Sequence, residues 1–260
     1  MATKRVLVTG ASGLLGREVL KQFKDRGWNA TGLAYSRAEE AGLVRVDLRD
    51  KVEVERALSD SSPTVVVHCA AERRPDVVDT QKEAVLLLNV TATDQLAKLC
   101  GEKVVLRVPG NAVLRVPILY GDVFSPEESA VTCLLSAVLN TTKQANMSDY
   151  EQRYPTHTSD VARVCVGLAD AFHSGVNIEG VWHWSGTECH TKYTMACTIA
   201  ELFGYPSGHL VPVKQPLPGT PRPHDSHLDC SKTELVVGRD RIPFRDGLKA
   251  ALSRFIPREN

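Results

Sequence analysis

The chain has 260 residues, 43% of them apolar, enough for one large α/β core or for a nucleotide-binding domain with a small second lobe. Lysine plus arginine and aspartate plus glutamate both number 31, and this balance argues against a broad nucleic-acid footprint. No apolar run approaches the roughly 20 residues that span a bilayer, and the opening Met-Ala-Thr-Lys-Arg leaves no room for a signal peptide before the first strand.

In chain order, residues 5–9 form a short β-branched run, followed by a glycine-rich turn and an amphipathic helix over 14–26 that Gly27 stops. Strands are expected at 30–34 and 43–48. Asp50 with Glu53 makes a capping box for a helix through Leu58. "TVVVHC", 64–69, is apolar on both faces, as suits a central parallel strand. Thr80 with Glu83 opens a further helix to about Cys100. In the second half, helices are expected at 128–140, 159–172 with Ser159 as cap, 191–203 ended by Gly204, and 244–255. Short strands are expected at 154–157 and 181–184, and the proline-rich 211–223 reads as a surface loop. Strands alternating with helices imply right-handed crossovers. The fold class is therefore α/β, a doubly wound, Rossmann-like parallel sheet. It is expected as a single domain over 1–260, in which about 122–260 contributes a smaller substrate or partner lobe. The seven cysteines are scattered, with no Cys-x-x-Cys, which points to reduced thiols in the cytoplasm. No zinc spacing is present, and His183 and His190 near Cys189 read as ordinary residues around a strand end.

The strongest chemical signal is "VLVTGASGLLG", with Gly10, Gly13 and Gly16 three apart between a strand and a helix. Glycine lets the backbone turn sharply and approach a pyrophosphate, and the helix start offers N–H groups and a positive dipole end. A lone glycine repeat is weak; the strand before and the helix after strengthen it. An acidic residue at the end of the second strand would hold a ribose 2′-hydroxyl. Here Tyr35, Ser36 and Arg37 stand there, and a guanidinium with a hydroxyl suits a 2′-phosphate. NADP is favoured over NAD. Arg37 also fits a solvated loop, and Glu39 and Glu40 show that this loop is not uniformly basic.

"VLVTGASGLLG", "VVVHCAAERRPD", "LRVPILYG" and "RPHDSHLDCSK" together resemble the extended short-chain dehydrogenase/reductase family, in its dTDP-4-dehydrorhamnose reductase branch. "EESAVT", "QRYPTHTSDVARVC", "HWSG" and "TKYTMACTIAELF" bring the resemblance closer to the regulatory β subunits of methionine adenosyltransferase within that branch. The resemblance implies an NADP site in which Ser12, Gly13, Leu14 and Leu15 meet the pyrophosphate, with Gly10 in the turn beneath them. By the same resemblance Tyr35, Ser36 and Arg37 meet the 2′-phosphate end, and Asp47 and Leu48 border the adenine. Cys69 and Arg73 would lie against the cofactor and Leu119 on its nicotinamide side. The residues alone leave other readings open: Leu14, Leu15 and Leu119 suit a core, Cys69 a small buried hydrophobe, and Arg73 a surface charge. The resemblance also implies a partner, the catalytic subunit of methionine adenosyltransferase, and no nucleic-acid or membrane partner. Those subunits carry a longer basic-aromatic tail than "SRFIPREN", which bears on the partner contact.

A reductase of this family needs Tyr-x-x-x-Lys on one helix face, where the lysine lowers the phenol's pKa for proton transfer. The residues four after Tyr35, Tyr120, Tyr150, Tyr154, Tyr193 and Tyr205 are Glu39, Phe124, Tyr154, Thr158, Cys197 and His209; none is lysine. The pair belongs between the fifth and sixth strands, where Val-Leu-Arg-Val-Pro at 105–109 and again at 113–117 lie almost end to end. A strand takes about 5–6 residues and a helix about 11–12, so both do not fit there. A deletion around the fifth strand is inferred, with 112–119 as the original sixth strand and 103–108 a substitute edge or a loop. Exposing a few hundred Å² of apolar neighbours, at about 25 cal/mol per Å², rivals a domain's net stability of about 5–15 kcal/mol. A weakened fold and weakened NADP binding are expected. Three functions remain: a non-catalytic NADP-binding regulatory subunit, an NADPH-dependent reductase of a nucleotide sugar, or a truncated inactive isoform.

Overall fold

The computed structural model describes residues 3–39, 42–71, 106, 109–216 and 223–257. The chain is α/β and divides into two compact units: Met1–Leu114 with Ala162–Trp182, and Arg115–Val161 with His183–Asn260. The helix expected over 80–100 and all of 103–108 but Leu106 lie outside the described residues.

In the first unit, β1 (Arg5–Thr9) is followed by α1 (Leu14–Asp25), β2 (Asn29–Ala34), β3 (Val44–Arg45), α2 (Lys51–Ser61) and β4 (Val65–His68). These strands form one sheet in the order β3-β2-β1-β4, with parallel pairing throughout. Strand periodicity explains why helices cover both faces. Val6 and Val8 pack in one core with Val19, Leu20 and Phe23 of α1, and with Ala162, Val166 and Ala169. Leu7, pointing the other way, packs in a second core with Leu33, Val46, Leu48, and Val54 and Ala57 of α2. Gly27, at φ +75°, follows the last turn of α1 as expected. Parallel strands joined by helices on alternate faces make this a Rossmann-like unit.

Several local expectations need correction. The third strand shrinks from 43–48 to two residues, because the chain beyond Arg45 turns to seat Val46 and Leu48 in the second core. Asp50 does cap α2, accepting from Val52 and Glu53 N–H. The capping box is not reciprocal, since the Glu53 carboxylate takes the Asp47 N–H at 2.7 Å instead. β4 is not buried on both faces: Val66 is 40% exposed, and no described strand pairs with β4 on the side away from β1. The expected sixth strand is broken at Pro117 into β5 (Ala112–Arg115) and β6 (Leu119–Tyr120).

The second unit holds β6, a 3-10 turn Pro126–Glu128, α3 (Leu134–Leu139), β7 (Ala145–Ser148) and β8 (Thr156–His157). α4 (Thr158–His173) follows and from Ala162 on belongs to the first unit, as does β9 (Gly180–His183), which pairs with β5, up to Trp182. The chain goes on through α5 (Lys192–Phe203), β10 (Leu210–Val213), α6 (Ser231–Val237) and α7 (Phe244–Leu252). The helix expected from 128 starts only at Leu134: the Ser129 hydroxyl accepts from Val131 and Thr132 N–H and donates to the Leu119 carbonyl, holding 129–133 as turns. Ser159 lies inside α4 rather than capping it, its N–H taken by His157 Nδ1. Thr191 caps α5 through a capping box with Thr194, and Gly204 at φ +73° ends that helix. The expected loop over 211–223 begins as a strand, β10, parallel to β7. Met195, Ala196, Ile199 and Ala200 of α5 anchor a core with Leu134, Leu135, Val138, Tyr120, Phe244 and Leu248.

Candidate dinucleotide-binding site

The glycine turn between β1 and α1 is built by sterics. Gly10 sits at φ +64°, a left-handed conformation, and a Cβ there would lie 2.8 Å from the Ala70 backbone. A Cβ on Gly16 would lie 2.2 Å from the Gly10 carbonyl oxygen, so glycine is required for the helix to start this close to the turn. Gly13 occupies the N-cap of α1, and its N–H donates to the Gly10 carbonyl at 2.9 Å. No side chain caps this helix and its first turn holds no acidic residue. The positive end of the dipole at Leu14 and Leu15 is therefore left for an anion. Two bonds fix the turn against β2: Ala11 N–H to the Leu33 carbonyl at 2.9 Å, and Arg37 Nη2 to the Ser12 carbonyl at 3.0 Å.

Tyr35, Ser36 and Arg37 are exposed at the end of β2 and line an open depression of about 300 Å³ with Ala38, Glu39 and Arg45. Arg37 holds φ +58°. Tyr35 is 55% exposed, with the Arg45 and Arg49 guanidinium carbons 5.7 and 5.4 Å from its ring centroid. Asp47 binds Arg49 at 2.6 Å, and that hydrogen bond holds its carboxyl below the usual range. The Leu48 side chain is buried in the second core beneath this rim. Cys69 follows β4 and packs against the first core, and burial pushes its thiol well above the ordinary range. Beside it, His68 Nδ1 lies 2.6 Å from Thr9 Oγ1, and burial lowers the imidazole to about 4, keeping it neutral. Arg73 lies outside the described residues. Leu119 is half-buried in β6, in the second unit.

Within the first unit the structure thus brings Gly10, Ser12, Gly13, Leu14 and Leu15 together at one turn, and Tyr35, Ser36 and Arg37 at one depression. The residue-by-residue reading missed Arg45 and the Thr9–His68 pair. "VRVDLRD" carried the signal for Arg45, a basic residue ending the strand beside β2, but attention to the end of β2 alone passes over it. Among the described residues no group of three or more His, Cys, Asp or Glu could hold a metal ion, and no helix is long and apolar enough to cross a membrane.

Residues 4–105 and 97–256 match the family described as the RmlD substrate binding domain. Proteins named methionine adenosyltransferase 2 subunit beta from Xenopus tropicalis and Pongo abelii are 41% and 43% identical over 296 aligned positions. Each alignment covers 97% of this chain and 88% of the relative. The chain belongs to the extended short-chain dehydrogenase/reductase family, in the branch of these β subunits. Because 296 aligned positions exceed the chain's 260 residues, the relatives of this branch have residues with no counterpart here. The two matched segments of the family meet at 97–105, beside the repeated Val-Leu-Arg-Val-Pro. A dTDP-4-dehydrorhamnose reductase from Streptomyces griseus is 26% identical over 88% of the chain and 86% of its own length. The solved dTDP-4-dehydrorhamnose reductase of Bacillus anthracis, in complex with NADP, shares this Rossmann-like fold at a TM-score of 0.78. It is 15% identical, and the match covers 98% of this chain and 99% of that one.

Proposed function

We propose that the chain is a non-catalytic, NADP-binding regulatory subunit that associates in the cytoplasm with the catalytic subunit of methionine adenosyltransferase and modulates S-adenosylmethionine synthesis. The observation that carries this reading is the 40–43% identity, across nearly the whole chain, to proteins named as the β subunit of that enzyme. The glycine turn fits the cofactor independently. Two of its glycines leave no room for a side chain, and the helix start behind them is uncapped. The pyrophosphate would lie over Ser12, Gly13, Leu14 and Leu15, with the adenosine end between Tyr35, Ser36 and Arg37 and the adenine beside Asp47 and Leu48. NADP supplies a hydride-carrying ring when bound. The chain's own residues supply binding and orientation, and no tyrosine is followed by a lysine four positions on to move the proton.

Affinity-tagged chain, co-expressed with the catalytic subunit, is expected to retain it through purification and to change the rate of S-adenosylmethionine formation. Failure to co-purify, with both chains folded, contradicts the reading. The likeness to the Streptomyces griseus reductase favours a second reading, reduction of a nucleotide sugar. NADPH consumption with dTDP-4-dehydrorhamnose or a related carbonyl compound would establish it.

A further inference from the structure

Three guanidinium groups surround the open end of β2, and they are not equivalent. Arg37 has one donor committed to the Ser12 carbonyl, so it fastens the β2 end to the glycine turn. Arg49 clasps Asp47 through Nε at 2.8 Å and Nη2 at 2.6 Å, so its charge is met by a carboxylate, and it does not line the depression. Arg45 does line it. It lies on β3 in register with Ala34, next to Tyr35, and its guanidinium carries a cation–π contact with that ring and no ion pair among the described residues. Glu39 lines the same depression. A phosphate entering there meets one carboxylate and needs a cation not already committed to a protein acceptor.

We propose that Arg45, from the third strand, reads the phosphate on the adenosine 2′-oxygen, while Arg37 braces the pyrophosphate turn and has little part in choosing between NADP and NAD. The exposed Tyr35 ring, which holds the Arg45 guanidinium by a cation–π contact, offers an apolar surface to the adenine. This assignment rests on the reading of the crevice as a dinucleotide site. It moves cofactor selectivity from the end of β2, where the sequence pattern places it, to the neighbouring strand.

Calorimetric titration of the intact chain with NADP and with NAD, in wild type, Arg45→Gln, Arg45→Lys and Arg37→Gln, tests it. Arg45→Gln is expected to weaken NADP by about ten- to a hundredfold, the worth of a hydrogen bond to a charged group, and to leave NAD unchanged. Arg45→Lys is expected to recover part of the loss as a point charge, and Arg37→Gln to weaken both nucleotides by a similar factor. Arg45 is exposed on a two-residue strand, so the glutamine variant is expected to fold. Adenosine 2′-monophosphate against adenosine 5′-monophosphate gives a second reading of the same contrast. Equal loss of NADP and NAD in Arg45→Gln, or no loss of either, overturns the assignment while leaving the dinucleotide site standing. A wild-type chain that binds neither nucleotide overturns the dinucleotide reading and this assignment with it.

Discussion

Gly10 concentrates the steric logic of the cofactor turn in one position. Its positive φ costs a side-chain-bearing residue about 1–3 kcal/mol, and its absent Cβ points at the Ala70 backbone, which has no flexible end to give way. Gly10→Ala is expected to lower stability by at least that amount in urea unfolding and to weaken NADP with it; an unchanged midpoint contradicts the sterics. One strand over, His68 makes a pH-dependent contribution. Its folded pKa of about 4 lies below the ordinary 6.5, so the unfolded chain binds a proton that the folded chain refuses between those values. The stability this histidine contributes is present above pH 6.5 and is lost as pH falls towards 4, on the order of 3 kcal/mol in all. Unfolding measured at pH 7 and pH 4.5 should show a smaller acid loss in His68→Gln than in wild type. Equal losses would place the imidazole in contact with water.

Elements whose periodicity and stop signals agree are legible in the sequence. β1 alternates Val6, Leu7 and Val8 between two cores, Gly27 follows α1, and Thr191 and Gly204 cap α5. Elements fixed by side chains reaching out of their own segment were not. Glu53 leaves its capping partner for the Asp47 N–H, Ser129 diverts five residues from a helix, and Pro212 disguised β10, which among the described strands pairs with β7. The site divides the same way. The glycine turn is a local pattern and could be read, whereas Arg45 enters through β3 pairing with β2, a contact between segments that the chain order does not announce. At β4, apolar composition suggested burial on both faces, but composition does not say whether a neighbour remains to cover it. Leu7→Ala is expected to cost about 2–5 kcal/mol, as befits a fully buried leucine. Val66→Thr is expected to change stability by less than about 0.5 kcal/mol. Comparable losses at the two positions would mean that β4 is covered on both faces.

At the scale of the whole molecule, an intact glycine turn sits in a chain that matches 88% of its relatives' length. β1, β2 and the helices on both faces supply the scaffold for the pyrophosphate turn, and all of them lie in the first unit. The relatives have residues with no counterpart here, and the two matched family segments overlap at 97–105, next to the repeated Val-Leu-Arg-Val-Pro. The most direct measurement is calorimetric titration of the purified chain with NADP and, separately, with NAD. The account predicts saturable heat with NADP at a lower dissociation constant than with NAD, and no heat from either nucleotide would contradict it.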